Sequence, residues 1–177
     1  MDIAALVIAI QLASADAVSG QTLDAAEGIA TGILRSAGVT PVWRNCEGGK
    51  CADAGGAPAF PLQLVGSVPR GFRGNATGYA VVYPAPDFGG YSVVSYTAAE
   101  RLAESCGRPA SLVLGAAMAH EIGHLLLGGQ SHAAIGIMVA RLDCEKLTRA
   151  SRGELGFTPD QARRIGARWR KAGEPRL

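Results

Sequence analysis

Apolar residues recur at three- and four-residue steps through Leu23, Ala26, Ile29, Ala30, Ile33, Leu34 and Ala37, which predicts an amphipathic helix over Thr22–Ala37. Shorter apolar runs bracket it. Leu6–Leu12, ahead of a Ser19-Gly20 turn, and Val39–Trp43, after the helix-stopping Gly38, read as strands. The chain therefore opens as strand–helix–strand, with the two strands expected to be parallel. Residues 45–58 are rich in Gly, Cys and Pro and read as a loop. Phe60–Val65, Tyr79–Tyr83 and Tyr91–Tyr96 continue the strand pattern, and Pro61, near the start of the first of these, points to a sheet edge. Gly66–Gly78, which carries Arg70 and Arg73, and the turn-rich Pro84–Gly90 read as connections.

The second half changes period. Thr97, with Glu100 three residues on, suggests a capped helix running to Ser105. Ser111–Leu127 is apolar on nearly every side, the pattern of a helix buried inside a domain. Cys144–Ser151 reads as a short helix. Thr158-Pro159-Asp160-Gln161 combines an N-cap, a first-position proline and a closing glutamine, and starts a helix that reaches about Lys171 with Ala162, Ile165 and Trp169 on one side. Strands early and helices late predict an α+β fold. The expected architecture is a mixed, mostly parallel twisted sheet of four to five strands, packed with a central helix and C-terminal helices. Residues 1–177 are read as a single domain, since no linker divides them.

Composition narrows the class. Of 177 residues, 48% are hydrophobic and 18% charged, which suits a globular chain and not a disordered one. A net charge of +2 gives no basis for nucleic-acid binding. The charge is uneven: the tail from 141 onward holds 10 of the 17 basic residues and 5 of the 15 acidic ones, a pattern of solvated helix faces. No run reaches the roughly 18 uninterrupted apolar residues of a membrane span, because Leu112–Leu127 contains His120, Glu121 and His124. A monomer is assumed. The start also has an apolar run and an Ala13-Ser14-Ala15 triplet like a signal-peptide cleavage site, but it has Asp2 and no basic residue before Arg35; a buried strand is the preferred reading.

Four cysteines stand at 46, 51, 106 and 144. A flexible Glu47-Gly48-Gly49-Lys50 turn lets Cys46 and Cys51 meet, and Cys106 with Cys144 would tie the segment before the apolar helix to the one after it. Two disulfides would mean an oxidising compartment, secreted or periplasmic. Four buried thiols in the cytoplasm are the alternative, and the Cys46/Cys51 spacing is also compatible with metal ligation.

All three histidines fall within thirteen residues, at 120, 124 and 132. On a helix, His120 and His124 share one face with Cβ atoms about 5–6 Å apart, close enough to bind one ion at Zn–N distances of about 2.0–2.1 Å. Glu121 is rotated by about 100° and can lean over a water instead of competing as a ligand. Met118, Ile122, Leu125 and Leu126 make this a core helix, where two imidazoles and a carboxylate need partners. Gly128-Gly129 lets the chain turn back, and His132 follows as the third candidate ligand. Asp143, Glu145 and Glu154 read as helix-surface charges. Ser131 has no G-x-S-x-G frame around it to support a hydrolase triad.

The run from His120 to His132, with Gly136-Ile137-Met138 after it, resembles the zincin metallopeptidases and, within them, the metzincins. Their extended motif is H-E-x-x-H-x-x-G-x-x-H, followed by a methionine-bearing turn. The resemblance implies His120, His124 and His132 as zinc ligands, Glu121 as general base and Met138 as the turn methionine. Gly128 falls one residue later than the pattern and His132 two residues later, which leaves Gln130 at the family's usual ligand position. Leu112–Met138, together with the stretch from Gly156 to Ile165, is also similar to small bacterial zincin-like proteins. The implied activity is zinc-dependent hydrolysis of a peptide or protein substrate lying extended along an edge strand, for which Tyr79–Tyr83 is the candidate. The alternative is a non-catalytic zincin-like domain that uses zinc structurally or binds a protein partner.

Overall fold

Three short, largely apolar strands, Leu6–Ser14, Ala59–Val65 and Val39–Asn45, pair side by side and set the frame. In the computed structural model the described residues are 6–14, 18–47, 50–67, 76–83, 89–129 and 131–173, side chains being described as far as 169. The strands are β1 (Leu6–Ser14), β2 (Val39–Asn45), β3 (Ala59–Val65), β4 (Gly78–Val82) and β5 (Gly90–Ser95). The helices are α1 (Gly20–Arg35), α2 (Tyr96–Cys106), α3 (Ala110–Leu127), α4 (Cys144–Ser151) and α5 (Pro159–Gly173). The sheet order is β2-β1-β3-β5-β4. Pairings of β1 with β2 and β3, and of β3 with β5, are parallel; β4 runs antiparallel to β5. The architecture is thus the expected α+β type with a mixed, mostly parallel sheet.

Three local expectations change. Helix α1 runs over Gly20–Arg35 instead of Thr22–Ala37, because Ser19 caps it, its hydroxyl accepting from Thr22 N–H. Pro61 lies in an interior strand, since β3 is flanked by β1 and β5. It is tolerated because the β3–β5 ladder begins one residue later, at Leu62↔Ser92, so no partner on that side requires its missing N–H, while its carbonyl accepts from the Ser92 hydroxyl. Helix α2 is capped by Ser95, not Thr97: the Ser95 hydroxyl accepts from Ala98 N–H and donates to Gly66 C=O, so strand β5 runs straight into the helix. The α5 start forms as the capping box expected, with Thr158 and Gln161 exchanging hydrogen bonds. The stretches 68–75 and 84–88 of the two long connections, with Arg70 and Arg73, lie outside the described residues, as do Gly48, Gly49 and Gln130.

Alternation along β1 and β3 sends Ile8, Ile10, Leu12, Phe60, Leu62 and Leu64 into one core, each 2% exposed or less. At about 1.5–3 kcal/mol per buried large side chain, this face supplies much of what holds the helices to the sheet. Helix α3 runs through that core and touches α1, α2, α4, α5 and three of the strands. It is long and apolar enough to cross a membrane, but most of it is enclosed by the domain. Its C-terminal turn is held by α5. Trp169 donates to the Leu126 carbonyl at 3.1 Å and stacks edge-on against Phe60, while Arg168 packs on Gly128.

Candidate metal centre

Helix α3 places His120 and His124 on one face, and Gly128 ends it with φ 83°, a left-handed value that frees the chain to turn back. The return brings His132 over that face. Its ring centroid lies 5.4 Å from that of His120 and 4.7 Å from that of His124, and one ring nitrogen from each of the three histidines lies within 4.8 Å of the others. The cluster can hold one metal ion.

Two contacts aim the rings. His120 Nδ1 lies 2.8 Å from the Ile137 carbonyl, which can only accept, so Nδ1 carries the proton and Nε2 presents a lone pair to the cluster. His124 Nδ1 lies 2.8 Å from the Ser131 hydroxyl. The two Nε2 atoms then stand 3.1 Å apart. At that distance a neutral His124 can donate from Nε2 to the His120 lone pair, and two imidazoles on one tetrahedral ion at about 2.0–2.1 Å would stand only slightly further apart, at about 3.3–3.4 Å. The donor set therefore fits a cation. Buried imidazoles fixed by a carbonyl and a hydroxyl are also the usual outer support of metal-binding histidines.

The electrostatics agree. Burial pushes His120 down to about 4, opposed by its bond to Ile137 and assisted by His132. Burial, with the neighbouring His120 and His132, pushes His124 down to about 3. Both rings are neutral near pH 7 and offer their lone pairs. Glu121 is 4% exposed, and burial raises its carboxyl to about 8. Such a group becomes an effective base when positive charge is placed beside it.

The segment after His132 is folded tightly beneath α3. Ala133 N–H bonds to Met138 C=O and Ile137 N–H to Gly156 C=O, with Gly136 at φ 79° between them. Met138 is fully buried, and a Cβ built at Gly123 would collide with its sulfur and come within 3.0–3.1 Å of the Phe157 ring. The histidine turn of α3 thus rests directly on Met138.

Above the histidines lies a cleft of about 810 Å³. Its lining includes the three histidines and Glu121, four residues of β4, and Val139–Leu142. Strand β4 is an edge strand, as the Tyr79–Tyr83 reading expected. Ser95 N–H bonds to Thr77 C=O and Tyr83 N–H to Gly89 C=O, so the odd-numbered residues Thr77, Tyr79, Val81 and Tyr83 face β5 with their backbone groups. Gly78, Ala80 and Val82 aim theirs outward, where no described strand pairs with them. Gly78 also lies against Glu121: a Cβ there would lie 3.0 Å from Glu121 Cγ and 3.1 Å from Oε1.

Both disulfides form, Cys46–Cys51 and Cys106–Cys144, and no described cysteine is free. None of the four is a metal ligand. Asp143 is spent on α4: its side chain accepts from Lys146 N–H and pairs with Lys146 Nζ. Three contributors were not visible in the motif: the Ser131 hydroxyl, the Ile137 carbonyl and the room made by Gly78. Only Ser131, adjacent to His132, left a sequence signal. No protein-family model matches the chain, and no curated protein matches it.

Proposed function

We propose that the protein is a zinc-dependent peptidase of metzincin-like design, cleaving a peptide or protein substrate that lies extended along β4. The observation that carries this reading is the convergence of three imidazoles in the lining of a cleft that also holds a buried carboxyl and the edge strand of the described sheet. His120, His124 and His132 are the residues that would hold the ion, with Met138 supporting their turn from below. When bound, zinc supplies Lewis acidity toward a carbonyl oxygen and makes a water acidic enough to react near pH 7.

The chain's own groups do the rest. Outward N–H and C=O groups of Gly78, Ala80 and Val82 add the substrate to the sheet as a further strand. Glu121, next to Gly78, takes a proton from the attacking water as the new C–O bond forms. It then delivers that proton to the leaving nitrogen as the C–N bond breaks. A domain holding zinc for structure alone has no use for a carboxyl buried against the substrate strand. Two disulfides point to an oxidising compartment, and we assign the protein to a secreted or periplasmic location.

The test is digestion of a broad peptide library by purified protein before chelation, after chelation, and after zinc is restored. Cleavage that disappears with the metal and returns with it supports the reading; cleavage indifferent to chelation, or none by the zinc-loaded protein, removes it.

A further inference from the structure

We infer that Arg141 selects substrates carrying a carboxylate, a reading that rests on the cleft's being the peptidase site. Arg141 lines the same cleft as β4 and is exposed. Among the described residues lining the cleft it is the one fixed cation, and Glu121, at the base, is the one acid. The β4 wall, from Thr77 to Val82, carries no charge.

The described acids nearest Arg141 in the chain are engaged elsewhere. Asp143, two residues on, holds the α4 N-terminus and pairs with Lys146 at 3.1 Å, and Glu145 lies 3.6 Å from the same ammonium. Among the described residues no carboxylate pairs with the Arg141 guanidinium. Its backbone is fixed on both sides. Met138 and Val139 are buried and bonded back to Ala133, Leu142 is buried, and Cys144 is joined to Cys106. A planar five-donor head on an anchored stretch of chain, in a cleft whose β4 lining is uncharged, suits bidentate capture of a carboxylate. That carboxylate is either an Asp or Glu side chain or the substrate's own C-terminus.

The experiment uses fluorescent peptide pools with one position fixed as Glu, Gln or Lys, each made as free acid and as C-terminal amide. Cleavage rate and equilibrium binding are both measured with zinc-loaded wild type, Arg141→Gln and Arg141→Glu. Zinc content per chain checks that the variants are folded. Wild type should favour the Glu pools, or the free-acid pools, by about 2–5-fold, the scale of an ion pair at an exposed site. Arg141→Gln should flatten that preference and Arg141→Glu should turn it toward Lys. A preference for Glu over Gln assigns the side chain; a preference for acid over amide assigns the C-terminus. Wild type binding all pools alike, or Arg141→Gln keeping the wild-type preference, overturns the inference. Arg141-dependent binding without any cleavage retains carboxylate recognition and removes the peptidase reading instead.

Discussion

Gly123 and Met138 touch with no space between them: any side chain at 123 would run into the methionine sulfur. Gly123 lies between His120 and His124 on α3, so this contact sets how closely the turn below approaches the histidines. It also brings the Ile137 carbonyl to His120. Gly123→Ala should therefore cost about 1–3 kcal/mol through overpacking and should weaken zinc binding as the two elements separate. Met138→Leu, which keeps the volume, should cost less than about 1.5 kcal/mol. Thermal melts with and without zinc compare the two; equal stability and equal zinc affinity in Gly123→Ala would show that the contact does not govern the site.

Ser131 orients His124 through one hydrogen bond and is itself 3% exposed. Ser131→Ala should lower zinc affinity by about 10–100-fold, the usual effect of removing a group that orients a ligand. His132→Ala should lower it further, because one of three donors is gone. Competition titrations against a coloured zinc indicator give both values. Should His132→Ala bind zinc as tightly as wild type, the third ligand is another residue.

Gly78 on β4 lies against the Glu121 side chain. A methyl group there would press on Val93 O at 2.5 Å and on the Glu121 side chain. Gly78→Ala should keep its zinc and lose most of its peptide cleavage, with KM and kcat both affected. Unchanged cleavage would separate the β4 edge from the reaction.

The two disulfides close loops of different size, with sequence separations of 5 and 38. On the chain-entropy model they contribute about 2 and about 4 kcal/mol. Replacing both Cys106 and Cys144 by Ala should lower the melting temperature clearly more than replacing Cys46 and Cys51. The reverse order would mean that strain or residual unfolded structure dominates.

The elements with a strong period or strong punctuation were readable from the chain. Helix α4 spans the expected Cys144–Ser151, and the α5 capping box forms from Thr158 and Gln161. The apolar helix carrying His120, Glu121 and His124 differs from its expected start by one residue. Sheet order was not readable, because it depends on contacts far apart in sequence. Pro61 signalled an edge, yet it fits an interior strand because the neighbouring ladder starts after it. Helix α2 began two residues early because Ser95 completes β5 and caps the helix at once. At the site the clustered histidines were readable, but the groups that hold their rings were not. A backbone carbonyl such as that of Ile137 has no sequence signature, and Gly78 matters only because β4 happens to pass over Glu121.

The reaction assigned to this cleft rests on Glu121. Glu121→Gln keeps the helix, the three imidazoles and the shape of the pocket, and removes the proton acceptor. Cleavage of one library-selected peptide by zinc-loaded Glu121→Gln, set beside wild type carrying the same zinc per chain, should fall by about 10²–10⁴-fold. Wild-type rates in that variant, at equal zinc content, would contradict the account.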